Sequence, residues 1–476
     1  MSESAEQKFA LPTLTAMVVG SMVGAGIFSL PQTFGRASGV LGALIAWTIA
    51  GGGMLMLAFV FQTLAQRKPA LDAGVYAYAK AGFGDYCGFL SALGYWTVCC
   101  LGNVSYWVLI KSTLGALFPV LGEGNTLTAV AISSVGVWIV HFLILRGVRE
   151  AAMINTIVTV AKIIPILIFL VLVGFGFKAD IFTANFWGTT AAGTDSLFDQ
   201  VRGTMLVTVF VFVGIEGASV YSRYARRRSD VGVATLLGFL GVLCLLVLVT
   251  LLSYGVLLRP DLAVLRNPSM AGVLQAVVGP WGAVFISAGL IISVLGAYLS
   301  WSLLAAEVLF SSAKMRSMPS ALARTNPNAV PSAALWLTNG LIQLFLIITL
   351  FSEQAFLLAL KMASSMILLP YLLVAAYALK LAWSGETYAA QPEGRKGDLV
   401  RAGLATFYAA GLVYAGGLKF LLLCLIIYAP GSALFFIAQR ERGRKVFTPV
   451  EMLLFAAAAA GAVLAVFGLA TGRLSI

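Results

Sequence analysis

Charge is what this sequence has least of. Of its 476 residues only 11% are Asp, Glu, Lys or Arg, while 60% are apolar. A soluble globular chain carries about 25% charged residues, so this one lacks the polar surface needed to stay in water. Histidine is nearly absent: His141 is the single one, and it reads as structural. That scarcity argues against a histidine-rich metal centre or a nucleophile with a histidine base, so no metal, cofactor or enzyme activity is expected. The cysteines Cys87, Cys99, Cys100, Cys244 and Cys424 lie in or beside apolar segments without metal-ligand spacing. They read as buried free thiols, not as a disulfide framework. No segment between apolar runs reaches the roughly 50 residues of a small domain, and no ring-forming filter motif of a channel is evident.

What is present is a succession of apolar runs of 18 residues or more, each long enough to cross a bilayer. The chain is an all-α integral membrane protein of 12 or 13 spans, with the 400–440 stretch deciding the count. Eight polar residues precede a 26-residue apolar run at 9–34 that has no small-residue cleavage pattern, so a retained first span is expected. Spans are expected at 85–118 (the third), 153–177 (the fifth), 203–223 (the sixth), 274–313 (the eighth) and 354–382 (the tenth).

The net charge of +12 sits in short clusters between spans, which argues against a nucleic-acid partner and for the lipid bilayer. With the N-terminus inside, 21 of the 31 basic residues fall on the cytoplasmic side. They include Lys8, Arg67, Lys68, Arg146, Arg149, Arg223 and Arg226-Arg227-Arg228. Seven fall outside (Arg36, Lys178, Arg202, Arg259, Arg266, Lys419 and Arg473), and Lys111, Lys162 and Lys361 lie within spans. That excess predicts a multi-pass protein of the cell membrane with a cytoplasmic N-terminus.

Two spans weaken themselves at their midpoints. Span one carries "GSMVGAGIF", residues 20–28, and span six carries "FVFVGIEGASVYS", residues 210–222, where Gly214 and Gly217 flank Glu216. Glycine within a helix costs about 1 kcal/mol relative to alanine. Irregular backbone inside a bilayer is tolerated where it is buried in protein or lines a cavity. Glycine-interrupted spans at corresponding places in two halves point to a transporter's binding centre, and the five-span separation suits an inverted repeat. The competing reading is close helix packing at small residues. A break around Gly24 leaves amides free at the head of the following half-helix, where a carboxylate binds. It also leaves carbonyls at the end of the preceding half, where an ammonium binds. Two such breaks side by side suit a zwitterionic α-amino acid.

These breaks belong to a wider pattern. "GSMVGAGIFSLP" followed by "GALIAWTIAG", the "YAYAKAGFGDYCGFLSALGYW" entry to span three, "GIEGAS" in span six and "SWSLLAAE" in span eight resemble the amino acid–polyamine–organocation superfamily. Within it the sequence is most similar to the basic amino acid/polyamine antiporters, especially the bacterial arginine–ornithine antiporters. The resemblance covers roughly the first ten spans. It implies a five-plus-five inverted-repeat, leucine-transporter-like fold with two or three extra C-terminal spans. The expected organisation is a tail at 1–8, repeats at 9–177 and 203–382, a cytoplasmic loop at 383–399 and accessory helices at 400–476.

The same resemblance implies residue roles. The substrate carboxylate is expected on the amides of Ala25 and Gly26, and its α-ammonium on the carbonyls of Met22, Phe210 and Val213. Asn103 matches the position that hydrogen-bonds the substrate side chain, with Cys99 and Tyr106 a turn to either side. Trp301 matches the substrate tryptophan of span eight and suits cation–π contact with a guanidinium or ammonium. Lys162 stands where sodium-coupled relatives of this fold hold a cation, which implies sodium independence. The arginine–agmatine branch carries serine where Ala25 stands and tryptophan where Phe210 stands, so side-chain help at those places is absent or altered.

The remaining intraspan charges are read from their own chemistry, since such groups face a cavity or a partner. Glu216 is expected to sense the substrate or gate its path, and Glu307 to offset a cationic side chain or pair with a lysine. Lys162 can also carry a proton, because buried lysines titrate readily. Ser364 and Ser365 beside Lys361 are candidates to line the cavity. The function implied is exchange of arginine for ornithine by alternating access, with spans 1, 2, 6 and 7 rocking against the rest. A proton-coupled importer, a lysine- or polyamine-linked antiporter, and a substrate sensor without flux stay open, as does a homodimer.

Overall fold

The computed structural model describes residues 10–71, 74–147, 149–190, 193–216, 228–352, 354–389 and 392–474. The tail at 1–8 and the residues Gly217, Arg223, Arg226 and Arg227 lie outside them. With no water in the hydrocarbon core, backbone polar groups must pair within their own segment, which makes a spanning chain helical. Accordingly the described residues are helical almost throughout. The strands among them are the two-residue pair Thr189–Thr190 and Gly193–Thr194, in an interspan loop.

The first span is two helices, α1 (Leu11–Met22) and α2 (Gly26–Ala37), bent by 44° at Val23-Gly24-Ala25. Then follow α3 (Val40–Arg67), α4 (Val75–Phe83), α5 (Asp85–Gly115), α6 (Leu127–Arg146) and α7 (Arg149–Phe175). A short α8 (Ala179–Ala184) precedes α9 (Leu197–Phe212), and α10 (Arg228–Ser253) leads to the short α11 (Arg259–Val264) and α12 (Ser269–Val278). The rest are α13 (Pro280–Lys314), α14 (Ser332–Ile348), α15 (Ala355–Ser384), α16 (Arg395–Gly431), α17 (Ala433–Glu441) and α18 (Pro449–Ala470).

Among the described residues nine helical stretches are long and apolar enough to cross a membrane, or ten with the bent α1–α2 pair. One of the nine, Arg395–Glu441, has 47 residues. At 1.5 Å per residue it would measure about 70 Å, more than twice the ~30 Å hydrocarbon core. Gly417, at φ 75° and ψ 166°, breaks it into two crossings.

Hydrogen bonds between loops sort the chain into two faces. On one, Arg67 meets Asp398, Lys80 meets Ser317, Asn326 meets the Leu145 carbonyl, and Arg442 meets Asp85. On the other, Arg36 meets Gln354, Asn125 meets the Ser352 carbonyl, and Asn185 meets the carbonyls of Tyr254 and Leu257. The long helices α3 and α15 each run from one face to the other.

An aromatic chain ties four of these helices together. Phe34 of α2 stacks on Trp47 of α3 at 5.1 Å, and Trp47 meets the edge of Phe212 of α9 at 6.1 Å. Phe212 in turn lies 5.2 Å from Phe239 of α10. Such offset and edge-on pairs each add about 0.5–1.5 kcal/mol beyond burial. Elsewhere α5 is bound to α14 by the Trp96 indole N–H on Thr338, and Gly289 of α13 lets Pro165 of α7 approach closely.

Candidate functional site: two helix breaks joined side by side

The helix α1 ends because its last amide bond is Val23 to the Val19 carbonyl, and the chain then turns through Gly24 and Ala25. The following helix α2 has no side-chain cap at its head. Amides at a helix head that no side chain satisfies are a seat for an anion. The second break begins where α9 stops, with Phe210 O accepting from the Val213 amide and the chain turning at Gly214, φ 110°.

Glycine is required at three places for three different neighbours. A Cβ on Gly26 would sit 2.7 Å from the Val211 side chain and 3.0 Å from Phe210, so α2 lies directly against α9. A Cβ on Gly214 would sit 2.6 Å from the Ser21 carbonyl. One on Gly24 would sit 2.9 Å from the Tyr106 hydroxyl. The glycines thus bring the two breaks and α5 together, which unites the open backbone of the breaks with the close-packing reading. The Ser21 hydroxyl donates to the Gly214 carbonyl at 2.9 Å and fastens one break to the other.

Glu216 sits in the second break, 1% exposed. Its carboxylate accepts from the Tyr95 hydroxyl of α5 at 2.6 Å, the Tyr371 hydroxyl of α15 at 2.7 Å and the Gly214 amide at 3.2 Å. Phenol donors from two other helices therefore hold the turn by its acid. Nothing in the sequence marks Tyr95 or Tyr371 as partners of Glu216. The signals available were a tyrosine inside the "SALGYW" motif and one directly after the intraspan Pro370.

On α5, Asn103 is wholly buried; its amide nitrogen donates to the Ser302 hydroxyl at 3.2 Å, and its carbonyl Oδ1 has no partner among the described residues. A buried acceptor left unpaired costs about 1–3 kcal/mol, so it is a ready place for a cationic N–H. Trp301 is half-buried, packs over Gly102 and meets the edge of the Tyr106 ring at 6.2 Å. Tyr106 thereby spans from Trp301 to Gly24. Cys99 is fully buried one turn from Asn103, and Met22, Ala25 and Val213 are buried at the breaks.

Lys162 of α7 is 1% exposed, and its ammonium donates to the Gly20 carbonyl in the last turn of α1. It stands beneath the break expected to need a cation.

Several candidates lie apart from this group. Glu307 is exposed on α13, and its described partner is Ser311 of the same helix at 2.8 Å. Among the described residues it forms no ion pair with a lysine. The Ser364 hydroxyl donates to the Leu206 and Leu360 carbonyls, and that of Ser365 to Lys361, so both serve helix contacts and not a cavity. His141 is buried against Trp336 and shares a hydrogen bond of 2.8 Å with Asn339, a structural role.

The face beyond α2 is closed. Every residue from Gly26 to Gly35 is buried, and α11–α12 clamp the helix. Ser269 accepts from the Gln32 amide, Asn267 donates to the Gln32 side chain, and Arg259 donates to the Gly35 carbonyl.

Four likenesses to known proteins bear on this arrangement. The solved structure of a Na+-coupled sialic acid symporter, in its substrate-bound outward-open state, matches with a TM-score of 0.53 over 87% of this chain and 90% of that one. At 13% identity the likeness is one of fold alone, the five-plus-five leucine-transporter-like architecture. The arginine/ornithine antiporter of Pseudomonas aeruginosa is 55% identical over 482 residues, covering 100% of both chains. The L-lysine transport protein of Corynebacterium glutamicum is 44% identical over 483 residues, covering 98% of this chain and 95% of the relative. A family model described as amino acid permease matches residues 9–469, the two broken spans included, and the chain belongs to that family.

Proposed function

We propose that the protein exchanges basic amino acids across the cell membrane, arginine for ornithine, with each substrate held at the joined breaks. The observation that carries this reading is the pairing of an uncapped α2 head with the buried, unpartnered Asn103 carbonyl. The first suits the substrate carboxylate at Ala25 and Gly26; the second suits the N–H groups of a cationic side chain. The carbonyls of Met22, Phe210 and Val213 receive the α-ammonium, Trp301 stacks on the side-chain cation, and Tyr106 closes the space between Trp301 and Gly24. The Pseudomonas aeruginosa relative, named for arginine and ornithine, supports that substrate pair.

Glu216, held by Tyr95 and Tyr371, couples occupancy of the site to the position of α9. The aromatic chain Phe34–Trp47–Phe212–Phe239 supports α2, α3, α9 and α10 moving as one body, the first, second, sixth and seventh spans. We place the two repeats at 9–177 and 203–382 and the accessory helices at 400–476. The excess of basic residues on the N-terminal face supports a cytoplasmic N-terminus. All of these site residues come from one chain, so the reading needs no second copy.

Counterflow in proteoliposomes tests it. Labelled arginine should enter vesicles loaded with ornithine and fail to enter empty ones; accumulation in empty vesicles under a proton gradient would replace exchange with proton-coupled import. A second reading, lysine as the preferred substrate, is favoured by the L-lysine transport protein relative. It predicts that unlabelled lysine outside competes better than ornithine.

A further inference from the structure

A cavity of about 270 Å3 lies between α9, α15 and the kink of α16, on the face opposite the N-terminus. Arg202, Lys361, Phe420 and Asp199 line it. The Phe420 ring is shared by two ammoniums, Lys361 at 5.7 Å and Lys419 at 5.6 Å. Arg202 lies over Tyr414 at 5.7 Å, and one of its terminal nitrogens is 3.4 Å from where a Cβ on Gly417 would stand. Among the described residues neither Arg202 nor Lys361 forms an ion pair. Asp199, the one acid of the lining, already accepts from the Ser196 hydroxyl at 2.6 Å.

This grouping is not what topology requires. Basic residues are scarce on this face, yet Arg202 and Lys419 gather here with the intraspan Lys361. Like charges repel, so Arg202 and Lys361, which line one cavity with no ion pair among the described residues, favour an anion between them. The Gly417 break adds to the same sign, because a half-helix starts there and its head carries partial positive charge. Arg202 and Lys361 lie in the second turns of α9 and α15, about 8–9 Å from the helix ends by helical rise. Phe420 and Leu206 supply an apolar wall beside the charges. A cationic substrate would be repelled.

We infer that this cavity binds a phosphate-class anion, the phosphodiester headgroup of an anionic phospholipid, between the substrate-bearing helix α9 and the accessory helix α16.

Native mass spectrometry of the full-length protein tests it, with phosphatidylglycerol, phosphatidylcholine and inorganic phosphate as separate probes. Phosphatidylglycerol should be retained over phosphatidylcholine by about tenfold, the scale of one charge-assisted hydrogen bond. The variants K361Q and R202Q should lose that preference, while K361R keeps it. Should R202Q fail to fold, the wild type still decides, because its preference must fall as ionic strength rises. Equal retention of the two lipids by the wild type, or an unchanged preference in K361Q, would overturn the site. Inorganic phosphate binding as tightly as the lipid would overturn the lipid as its ligand and leave a site for a soluble anion.

Discussion

The Ser21 hydroxyl donates to the Gly214 carbonyl at 2.9 Å, across 193 residues of sequence. It joins two helix breaks that each lack regular backbone pairing, so neither can close into a continuous helix without disturbing the other. The same residue pair is tight from the other side, since the Ser21 carbonyl leaves no room for a Cβ at Gly214.

Gly214→Ala is therefore expected to cost about 1–3 kcal/mol of local strain, from the left-handed φ and the clash together. Arginine–ornithine exchange should fall at least about tenfold at matched membrane levels. Ser21→Ala, which removes one hydrogen bond worth about 1 kcal/mol, should reduce exchange by about fivefold. Uptake by Gly214→Ala equal to wild type would remove the second break from the site.

Gly26 touches Val211 and Phe210 from the head of α2. Gly26→Leu should abolish binding of labelled arginine in a scintillation proximity assay, because the side chain collides with Val211 and Phe210 and drives the head of α2 away from α9. Wild-type affinity in this variant would sink the assignment of the carboxylate seat.

The donors described on Glu216 act on one carboxylate, so their effects should not add. Tyr95→Phe and Tyr371→Phe should each lower exchange by about tenfold, as expected for a charge-assisted bond of about 1.5–3 kcal/mol. The double variant should lose less than the product of the two. Glu216→Gln should flatten the pH dependence of exchange between pH 5 and 8; an unchanged profile takes the acid out of the mechanism.

Lys162→Met removes the charge on the Gly20 carbonyl. Exchange should drop by about two orders of magnitude, the scale of losing one partner of a buried charged contact. Wild-type exchange should be equal in sodium and in choline buffers. A requirement for sodium in the wild type would contradict the assignment of Lys162 to the cation's place.

The unpaired Asn103 carbonyl predicts a selective effect. Asn103→Leu should raise the arginine KM by about tenfold with a smaller change for an amino acid that has no side-chain donor. An equal rise for both would mean that Asn103 acts through packing with Ser302 alone.

The membrane class, the succession of spans, the broken first span and the stop of α9 at Phe212 were legible in the sequence, because a bilayer permits few backbone solutions and hydropathy with glycine placement reports them. Glycine composition marked where the helices break, and even the Gly417 division lay in plain apolar sequence between 400 and 440. Which side chains meet was not legible. Tyr95 and Tyr371 reach Glu216 from 121 and 155 residues away, and Lys162 reaches Gly20 from 142. Those meetings depend on how far each helix is rotated about its axis. In a span that is apolar all round no hydrophobic stripe fixes that rotation. Glu307 shows the consequence: it shares a helix with Trp301, but the packing of α13 against its neighbours turns the acid to the exposed side and the tryptophan towards Tyr106. The glycines fixed where the backbone opens, and the packing of the surrounding helices decided which donors and acceptors stand around that opening.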